Sequence, residues 1–291
     1  MDKKTDVRDP DEKVVEIEME RLRAFPNHPF KVIGDSQMIE LQDSIKKYGV
    51  LNPLIVRPKI EGYYEIISGH RRKYAAEKLG YKKIPVIIRM LQDDEAVVIM
   101  VDSNLQREHI LPSERAFAYK MKLDAIKNQG ARSDLTSSQV GTKLRADEIL
   151  AQQAGSSRNQ VQRYIRLTEL IPELMDMVDE KKIALNPAYE LSFLKKEEQV
   201  DLLDAMDSEQ ATPSLSQAQR LKKYSQEGHL TLDMMRVIMG EEKKSDLDRV
   251  TFTSDTLRKY FPKSYTPQRM QETIIKLLEA WQKKRQRDQE R

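Results

Sequence analysis

Apolar residues in the first ninety positions alternate between strand-like and helix-like spacing. From Met38 to Tyr48 they recur every three or four positions, which predicts a helix that Asp35 or Ser36 caps and Gly49 ends. Four runs rich in β-branched and aromatic residues have the length and bounds of strands: 14–19, 54–56, 63–67 and 85–91. We therefore expect a small mixed α+β domain.

From position 93 onward, helical spacing dominates. Asp93 and Pro112 each begin a predicted helix. The stretch 130–145 is rich in Ser, Thr and Gly and reads as a loop, although 135–144 could hold a short helix. Near the end, 250–253 is strand-like, and a last amphipathic helix begins at about Thr266 and ends in a basic tail. The predicted organisation is a flexible tail at 1–12, a mixed domain at 13–108, an all-α domain at 109–206, a linker or helical joint at 207–248 and a C-terminal unit at 249–291.

A strand-to-helix corner is the first stretch that carries chemistry. Ser68 ends a predicted strand, Gly69 takes the corner, and His70, Arg71 and Arg72 begin a helix that stops near Gly80. The first turn of a helix offers unpaired N–H groups and the positive end of the helix dipole, so it favours an anion. Two guanidinium groups there suit phosphate oxygens. The alternative, left open by this fragment alone, is a tight turn with two solvated arginines.

A second stretch, 147–167, has the layout of a helix-turn-helix. Ala151 allows two helices to approach, Gly155 takes the turn, and Ser157 caps the second helix. The outward face of that helix has no acidic residue, and its polar members include side chains that make bidentate contacts to adenine and guanine. The predicted DNA-binding residues are Ser157, Arg158, Asn159, Gln160, Gln162, Arg163 and Arg166. The alternative is an ordinary helical hairpin with a polar face.

Composition limits the remaining choices. With 291 residues the chain is long enough for two or three domains, and a net charge of +3 means that any site for a polyanion must be local. There is no cysteine, which excludes disulfides, thiolate catalysis and cysteine-bound metal. The four histidines are widely spaced, and no apolar run approaches the length of a membrane span. A cytoplasmic location without membrane association is expected.

Taken in order, these parts resemble the ParB/RepB family of DNA-partition proteins over residues 14–195. The stretch 69–76 is similar to the family's Gly-Glu-Arg-Arg box, and 103–108 is similar to its Glu-Asn-Leu-Gln-Arg-Glu box. The resemblance implies a ParB-like N-terminal domain that shares its fold with sulfiredoxin and binds CTP with Mg²⁺. It also implies a homodimer whose helix-turn-helix reads a centromere-like site on double-stranded DNA, and which closes as a clamp that slides along DNA.

The resemblance assigns roles to residues of both boxes. The implied nucleotide-binding residues are Gly69, His70, Arg71, Arg72, Ser103, Asn104, Arg107 and Glu108. The two arginines of the first box would hold the triphosphate, and Asn104 would contact Mg²⁺ or phosphate. Three positions depart from the family pattern, because His70 replaces a Glu, Ser103 replaces a Glu, and Phe30 stands in the place of an Arg. Since Mg²⁺ prefers a carboxylate or phosphate ligand, Ser103 leaves CTP hydrolysis open, while nucleotide and DNA binding are still expected.

Two other classes of function stay open. One is an enzyme, because the same small fold resembles sulfiredoxin and a nucleotide-dependent serine kinase. The chain lacks the cysteine of the first and an obvious acidic base for the second. The other class is a ParB-like transcriptional regulator or DNA-binding adaptor without nucleotide hydrolysis. The partner that the resemblance implies is a ParA-type Walker ATPase, and the expected location is the nucleoid within the cytoplasm.

Overall fold

The computed structural model describes residues 12–32, 34–107, 110–134, 145–241, 257, 259–262 and 264–289. The chain divides into two compact units, of which the first ends at Gly240 and the second begins at Glu241. The first unit contains both stretches that the sequence singles out for chemistry.

A five-stranded mixed sheet occupies the N-terminal part of the first unit. Its strands are β1 (Val14–Glu18), β2 (Leu22–Arg23), β3 (Leu54–Pro58), β4 (Tyr64–Ser68) and β5 (Lys83–Ile88), with a 3-10 turn at Met19–Arg21. The order across the sheet is β1-β5-β3-β4-β2. Strand β3 pairs antiparallel with β4 and parallel with β5, and β1 pairs antiparallel with β5. The four predicted strands are present with ends shifted by a few residues, whereas the two-residue β2 lies in a stretch without a strand pattern.

Helices cover both faces of this sheet. They are α1 (Ser36–Tyr48), α2 (His70–Lys78) and α3 (Asp93–Leu105). Leu54 and Val56 point to the face that packs against α2, and α1 packs in turn on α2. Ile67 points to the opposite face, where it contacts the buried side of α3. Because β3 lies inside the sheet, Leu54 and Val56 are fully buried and hold the adjoining corner in place.

An all-α part completes the first unit. Its helices are α4 (Pro112–Asp134), α5 (Ala146–Gln153), α6 (Arg158–Leu167), α7 (Pro172–Asp179), α8 (Leu185–Leu191), α9 (Lys196–Ser208), α10 (Leu215–Gln226) and α11 (Leu232–Met239). The sequence predicted a loop from 130, but α4 continues through Gly130 to Asp134. The stretch 207–248, expected as a linker or joint, contains α10 and α11, which share one apolar core with α7, α8 and α9. The segment 135–144 lies outside the described residues.

Helix α4 belongs to three cores at once. Ala118 packs into the core beneath the sheet, Ala116 into the core of the later helices, and Tyr119 into the core of α5 and α6. The fully buried Lys122 of α4 also binds Asp102 of α3, with 2.5 Å between Nζ and Oδ1. The long helix therefore connects the mixed domain with the helix-turn-helix.

The second unit contains the last helix, α12 (Pro267–Gln289), which begins one residue after the predicted start at Thr266. Met270 is buried, whereas four larger apolar side chains farther along are exposed: Ile275, Leu277, Leu278 and Trp281. The predicted strand at 250–253 lies outside the described residues. Across the described ranges, no helix is both long enough and apolar enough to cross a membrane.

Candidate nucleotide and nucleic-acid sites

Gly69 makes the sharp corner between β4 and α2. Its φ of +106° is a backbone conformation that residues with a Cβ rarely adopt. A Cβ built at this position would lie 2.8 Å from Cγ of Leu54 and 3.2 Å from a terminal nitrogen of Arg72. Glycine is therefore required here both by the backbone angle and by the lack of space. Strand β4 ends at Ser68 and α2 begins at His70, directly after this glycine, as the sequence predicted.

The two arginines that follow point to different partners. Arg71 donates a hydrogen bond from Nη2 to Oδ1 of Asp35 at 2.9 Å, and its Nη1 lies 3.3 Å from Oε1 of Gln37. Arg72 instead donates to the carbonyl oxygens of Asn52 and Pro53 at 2.5 and 2.8 Å. Burial lowers the pKa of Arg72. Arg71 thus lies where an anion could replace a carboxylate, whereas Arg72 is bound to the chain that enters β3.

His70 is buried at the first position of α2. Its Nε2 accepts the backbone N–H of Phe25 at 3.3 Å, and its ring lies 3.9 Å from the ring of His28, centre to centre. Burial lowers the pKa of His70 to about 3, with smaller contributions from the neighbouring charges of His28, Arg107 and Lys73. The ring is therefore neutral at pH 7. The accepted bond attaches the chain after β2 to the start of α2.

His28 completes this pair. Its Nδ1 lies 2.8 Å from the carbonyl oxygen of Phe30, while its Nε2 is buried without a hydrogen-bond partner in the described structure. Burial lowers the pKa of His28, and the charge of Arg107 acts in the same direction, against the hydrogen bond to Phe30. No sequence pattern marked His28, because it forms no motif with residues nearby in the chain. The tertiary structure brings it to the corner, where its ring packs at 47° to the ring of His70.

The second box lies at the end of α3. The hydroxyl of Ser103 and the amide of Asn104 both donate to the carbonyl oxygen of Met100, at 2.9 and 2.7 Å. Arg107 lies over the ring of Phe30, with its guanidinium carbon 5.6 Å from the ring centre. Glu108 lies outside the described residues.

The charges around the corner suit an anion. Burial lowers the pKa of Arg107, and the nearby positive charge of Arg71 lowers it further, which Glu114 partly offsets. A phosphate between the two guanidinium groups would relieve this repulsion. The described residues contain no group of three His, Asp or Glu side chains that could hold a metal ion.

The helix-turn-helix has the predicted frame. Gly155 makes the turn with a φ of +60°, and the hydroxyl of Ser157 accepts the N–H of Gln160 at 3.2 Å, which caps α6. Ala151 and Val161 are buried at the contact between α5 and α6, together with Tyr119 of α4. This packing leaves the polar face of α6 toward solvent.

The polar side chains of α6 divide into two groups. Four of them bond to other parts of the chain: Arg158 and Gln162 donate to Asp147, Arg163 donates to Asn186, and Arg166 donates to the carbonyl oxygen of Ser192. Arg166 is also packed over Phe193 and has an unpartnered buried Nε within the described structure. By contrast, the side chains of Asn159 and Gln160 make no hydrogen bond in the described part of the chain. A partner that binds these two amides would therefore displace no hydrogen bond within the described residues.

Asp147 is a site residue that the sequence pattern did not reveal. It lies in the first turn of α5, where an acidic residue is expected merely to favour the helix dipole. Its buried carboxylate instead reaches α6. Burial would raise the pKa of Asp147, but hydrogen bonds from Arg158 and Gln162 and the charge of Arg145 lower it. The carboxylate is therefore ionised at neutral pH.

Comparison with known proteins identifies both domains. Residues 3–105 match the ParB N-terminal domain, and residues 135–217 match the ParB HTH domain. A nucleoid occlusion protein of Listeria innocua is 35% identical over 199 residues, which cover 67% of this chain and 63% of that protein. The chromosome-partitioning protein Spo0J of Thermus thermophilus is 31% identical over 187 residues, which cover 64% of this chain and 62% of that protein. The chain thus spans somewhat less than two thirds of the length of these relatives.

Solved structures of one further relative also match. The C-terminally truncated chromosome-partitioning protein ParB from Caulobacter crescentus, complexed to the centromeric parS site, is 22% identical with a TM-score of 0.42, covering 77% of this chain and 98% of that one. The same truncated protein complexed with CTP-gamma-S is 26% identical with a TM-score of 0.31, covering 67% and 99%. By its two matched domains, the chain belongs to the ParB family, in which a ParB N-terminal domain precedes a ParB helix-turn-helix.

Proposed function

We propose that this protein is a site-specific DNA-binding protein of the partition type, which acts as a CTP-gated dimeric clamp on a centromere-like site. The observation that carries the proposal is the exposed face of α6, which combines amides and guanidinium groups and has no acidic residue of its own. The first turn of a recognition helix is the part that meets base edges in the major groove. Double-stranded DNA is therefore the partner that this surface fits.

The geometry of the corner supports nucleotide binding. Gly69 lets the chain turn directly from β4 into α2. Arg71 and Arg107 supply two cationic groups beside the start of this helix. Arg71 is held by the Asp35 carboxylate, which is replaceable by a phosphate oxygen of similar charge. Asn104 supplies an amide near the end of α3, where Mg²⁺ on the phosphates would find a ligand. Because Ser103 offers no carboxylate to Mg²⁺, we propose CTP binding and not CTP hydrolysis.

Helix α4 offers a route between the two sites. It packs against α3 through the Asp102–Lys122 ion pair, and against α6 through Tyr119, whose ring lies 5.9 Å from that of Tyr164. A cleft of about 590 Å³ separates the end of α3 from the turn before α6, with Gln106 on one side and Gly155 on the other. A nucleotide that binds one arrangement of α3 better would shift its population by the difference in affinity. The fraction of closed clamps would rise or fall with that shift in population.

Calorimetric titration with CTP, ATP and GTP in the presence of Mg²⁺ tests the nucleotide site. We expect selective CTP binding that Arg71→Ala abolishes while initial DNA binding survives. The matched variant, Arg163→Ala, should weaken specific DNA binding and leave CTP affinity intact. Loss of both activities in either variant would contradict two separate sites. Absence of nucleotide binding, with or without DNA, would contradict the CTP gate.

The lifetime of the protein on DNA, measured with and without CTP, separates the leading function from a second candidate. The replacement of two family glutamates by His70 and Ser103 favours a DNA-binding adaptor or transcriptional regulator without a nucleotide cycle. In that case CTP would leave the lifetime of the protein on DNA unchanged. Two relatives are named for nucleoid occlusion and for chromosome partitioning, and we propose that DNA binding by this protein serves one of these two roles. A ParA-type ATPase is the partner proposed for the partition role, and pull-down with the purified ATPase tests it.

A further inference from the structure

Asp147 lies beneath the polar face of α6 and joins two of its side chains. Its Oδ2 accepts hydrogen bonds from Nε of Arg158 at 2.6 Å and from the amide of Gln162 at 3.1 Å. Its other oxygen lies 3.5 Å from Nε of Arg145. The Asp147 side chain is only 6% exposed, whereas that of Arg158 is 42% exposed. The carboxylate is thus buried while the groups it holds reach solvent.

This geometry restricts what Arg158 can do. The bond uses Nε, so the two terminal nitrogens stay available but point in one direction. A guanidinium without this bond could turn to any nearby phosphate, because phosphate contacts depend on charge and not on sequence. Gln162 is held through the same oxygen, one helical turn away. Both side chains are therefore oriented before any DNA is bound.

We propose that Asp147 is a positioning residue for DNA recognition, which holds Arg158 and Gln162 toward base edges and keeps Arg158 from binding phosphate indiscriminately. The inference rests on the proposed DNA-binding function of α6. Asp147 itself touches no DNA; it acts through the two side chains that it orders. Its effect is on the ratio between specific and non-specific binding, since orientation favours one sequence and the buried negative charge disfavours loose phosphate contacts.

The test compares two duplexes over a range of salt concentrations. One is the duplex that the full wild-type chain enriches from a random 40-base-pair pool, and the other is a scrambled duplex of the same composition. For Asp147→Asn we expect a several-fold gain in affinity for the scrambled duplex and about a tenfold fall in the specificity ratio. The slope of log K against log salt on scrambled DNA should steepen by about 0.9, which is the value for one added phosphate contact. Glu173→Gln, which removes an exposed charge on α7, is the matched control and should change neither.

Arg158→Ala provides a second, independent test. Alone, it should weaken binding to the selected duplex more than binding to scrambled DNA, because Asp147 holds Arg158 toward base edges and keeps it from phosphate. When both substitutions are combined, Asp147→Asn should not steepen the salt slope on scrambled DNA, because no guanidinium group is left at position 158. An equal loss of affinity on both duplexes for Arg158→Ala would overturn the proposal, and this measurement stands even where Asp147→Asn fails to fold.

The remaining outcomes are distinct. Equal behaviour of Asp147→Asn and the Glu173→Gln control would overturn the positioning role. Weaker binding to both duplexes with an unchanged slope and a lowered Tm would show a purely structural role and also overturn it. If the wild-type chain enriches no sequence and binds no duplex, the proposed function fails instead.

Discussion

Oδ1 of Asp35 accepts two hydrogen bonds, one from the backbone N–H of Met38 and one from Nη2 of Arg71, at 2.8 and 2.9 Å. The same oxygen therefore caps α1 and binds the guanidinium group of Arg71, which we propose binds phosphate when a nucleotide is present. A carboxylate and a phosphate oxygen compete for the same donor. In the nucleotide-free protein the Asp35 carboxylate therefore takes the place of the phosphate at Arg71. Releasing this contact is part of the cost of binding.

Asp35→Asn should strengthen nucleotide binding. Asparagine still caps a helix but no longer pairs with a cation, so Arg71 becomes free for the ligand. An exposed ion pair contributes about 0.2–1 kcal/mol, which corresponds to roughly a 1.4- to 5-fold gain in affinity for CTP. Isothermal titration calorimetry measures the CTP affinity of each variant, with Asp43→Asn on the exposed side of α1 as the control. Weaker binding of CTP to Asp35→Asn than to the control would contradict the competition.

Gly69→Ala should destabilise the mixed domain more than Gly80→Ala does. Both glycines have a positive φ, but an added Cβ meets Leu54 at Gly69 and nothing within 4 Å at Gly80. Backbone strain alone costs about 1–2 kcal/mol, and the contact with a buried leucine adds a cost of about 1–3 kcal/mol at Gly69. Urea unfolding of the two variants gives the difference directly. Equal free energies of unfolding would mean that the corner relaxes at no cost.

Stability should fall as the pH drops below about 6.5, in part because of His70. Its pKa is about 3 in the folded protein and about 6.5 when unfolded. Between these values the unfolded chain binds a proton that the folded chain does not, so the free energy of unfolding decreases with falling pH by at most about 1.4 kcal/mol per pH unit for this group. The loss begins near pH 6.5 and ends near pH 3. Above pH 7 the group contributes no slope.

His70→Gln isolates this effect. The variant keeps a side-chain oxygen for the N–H of Phe25 but has no group that titrates in this range. The wild-type protein should lose stability relative to the variant between pH 6.5 and 4, as followed by chemical denaturation at each pH. Parallel curves over that range would show that His70 is not buried in the neutral form.

Asn159→Ala should relax the sequence preference of DNA binding. Within the described structure this exposed amide has no hydrogen-bond partner, and Asn pairs in bidentate fashion with adenine. We expect a loss of about 1–3 kcal/mol at one or two A·T positions and little change on scrambled DNA. Binding to a panel of single-base substitutions of the selected duplex measures it. Gln152→Ala on α5 serves as the control, and a uniform loss across the panel for Asn159→Ala would assign this residue to phosphate instead.

Much of the local structure follows from the order of residues alone. The spacing of apolar residues determines α1, and Gly69 between a β-branched run and a basic helix start determines the corner. Ser157 after Gly155 determines where α6 begins. These features depend on contacts within a few residues of each other, so their signals lie next to one another in the chain. The resemblance to ParB proteins rests on the same short stretches, and the matched domains confirm it.

The partners of the polar side chains were decided by tertiary structure. Both arginines of the corner look equivalent in the sequence, yet Arg71 faces a replaceable carboxylate and Arg72 binds the carbonyl groups before β3. Likewise, Asp147 looks like an ordinary residue of a helix start until α5 and α6 pack together and bring it to Arg158. The direction of a long polar side chain depends on which elements meet, and that is a property of the packed core. Sequence thus places the chemical groups, whereas packing selects which of them are free to bind.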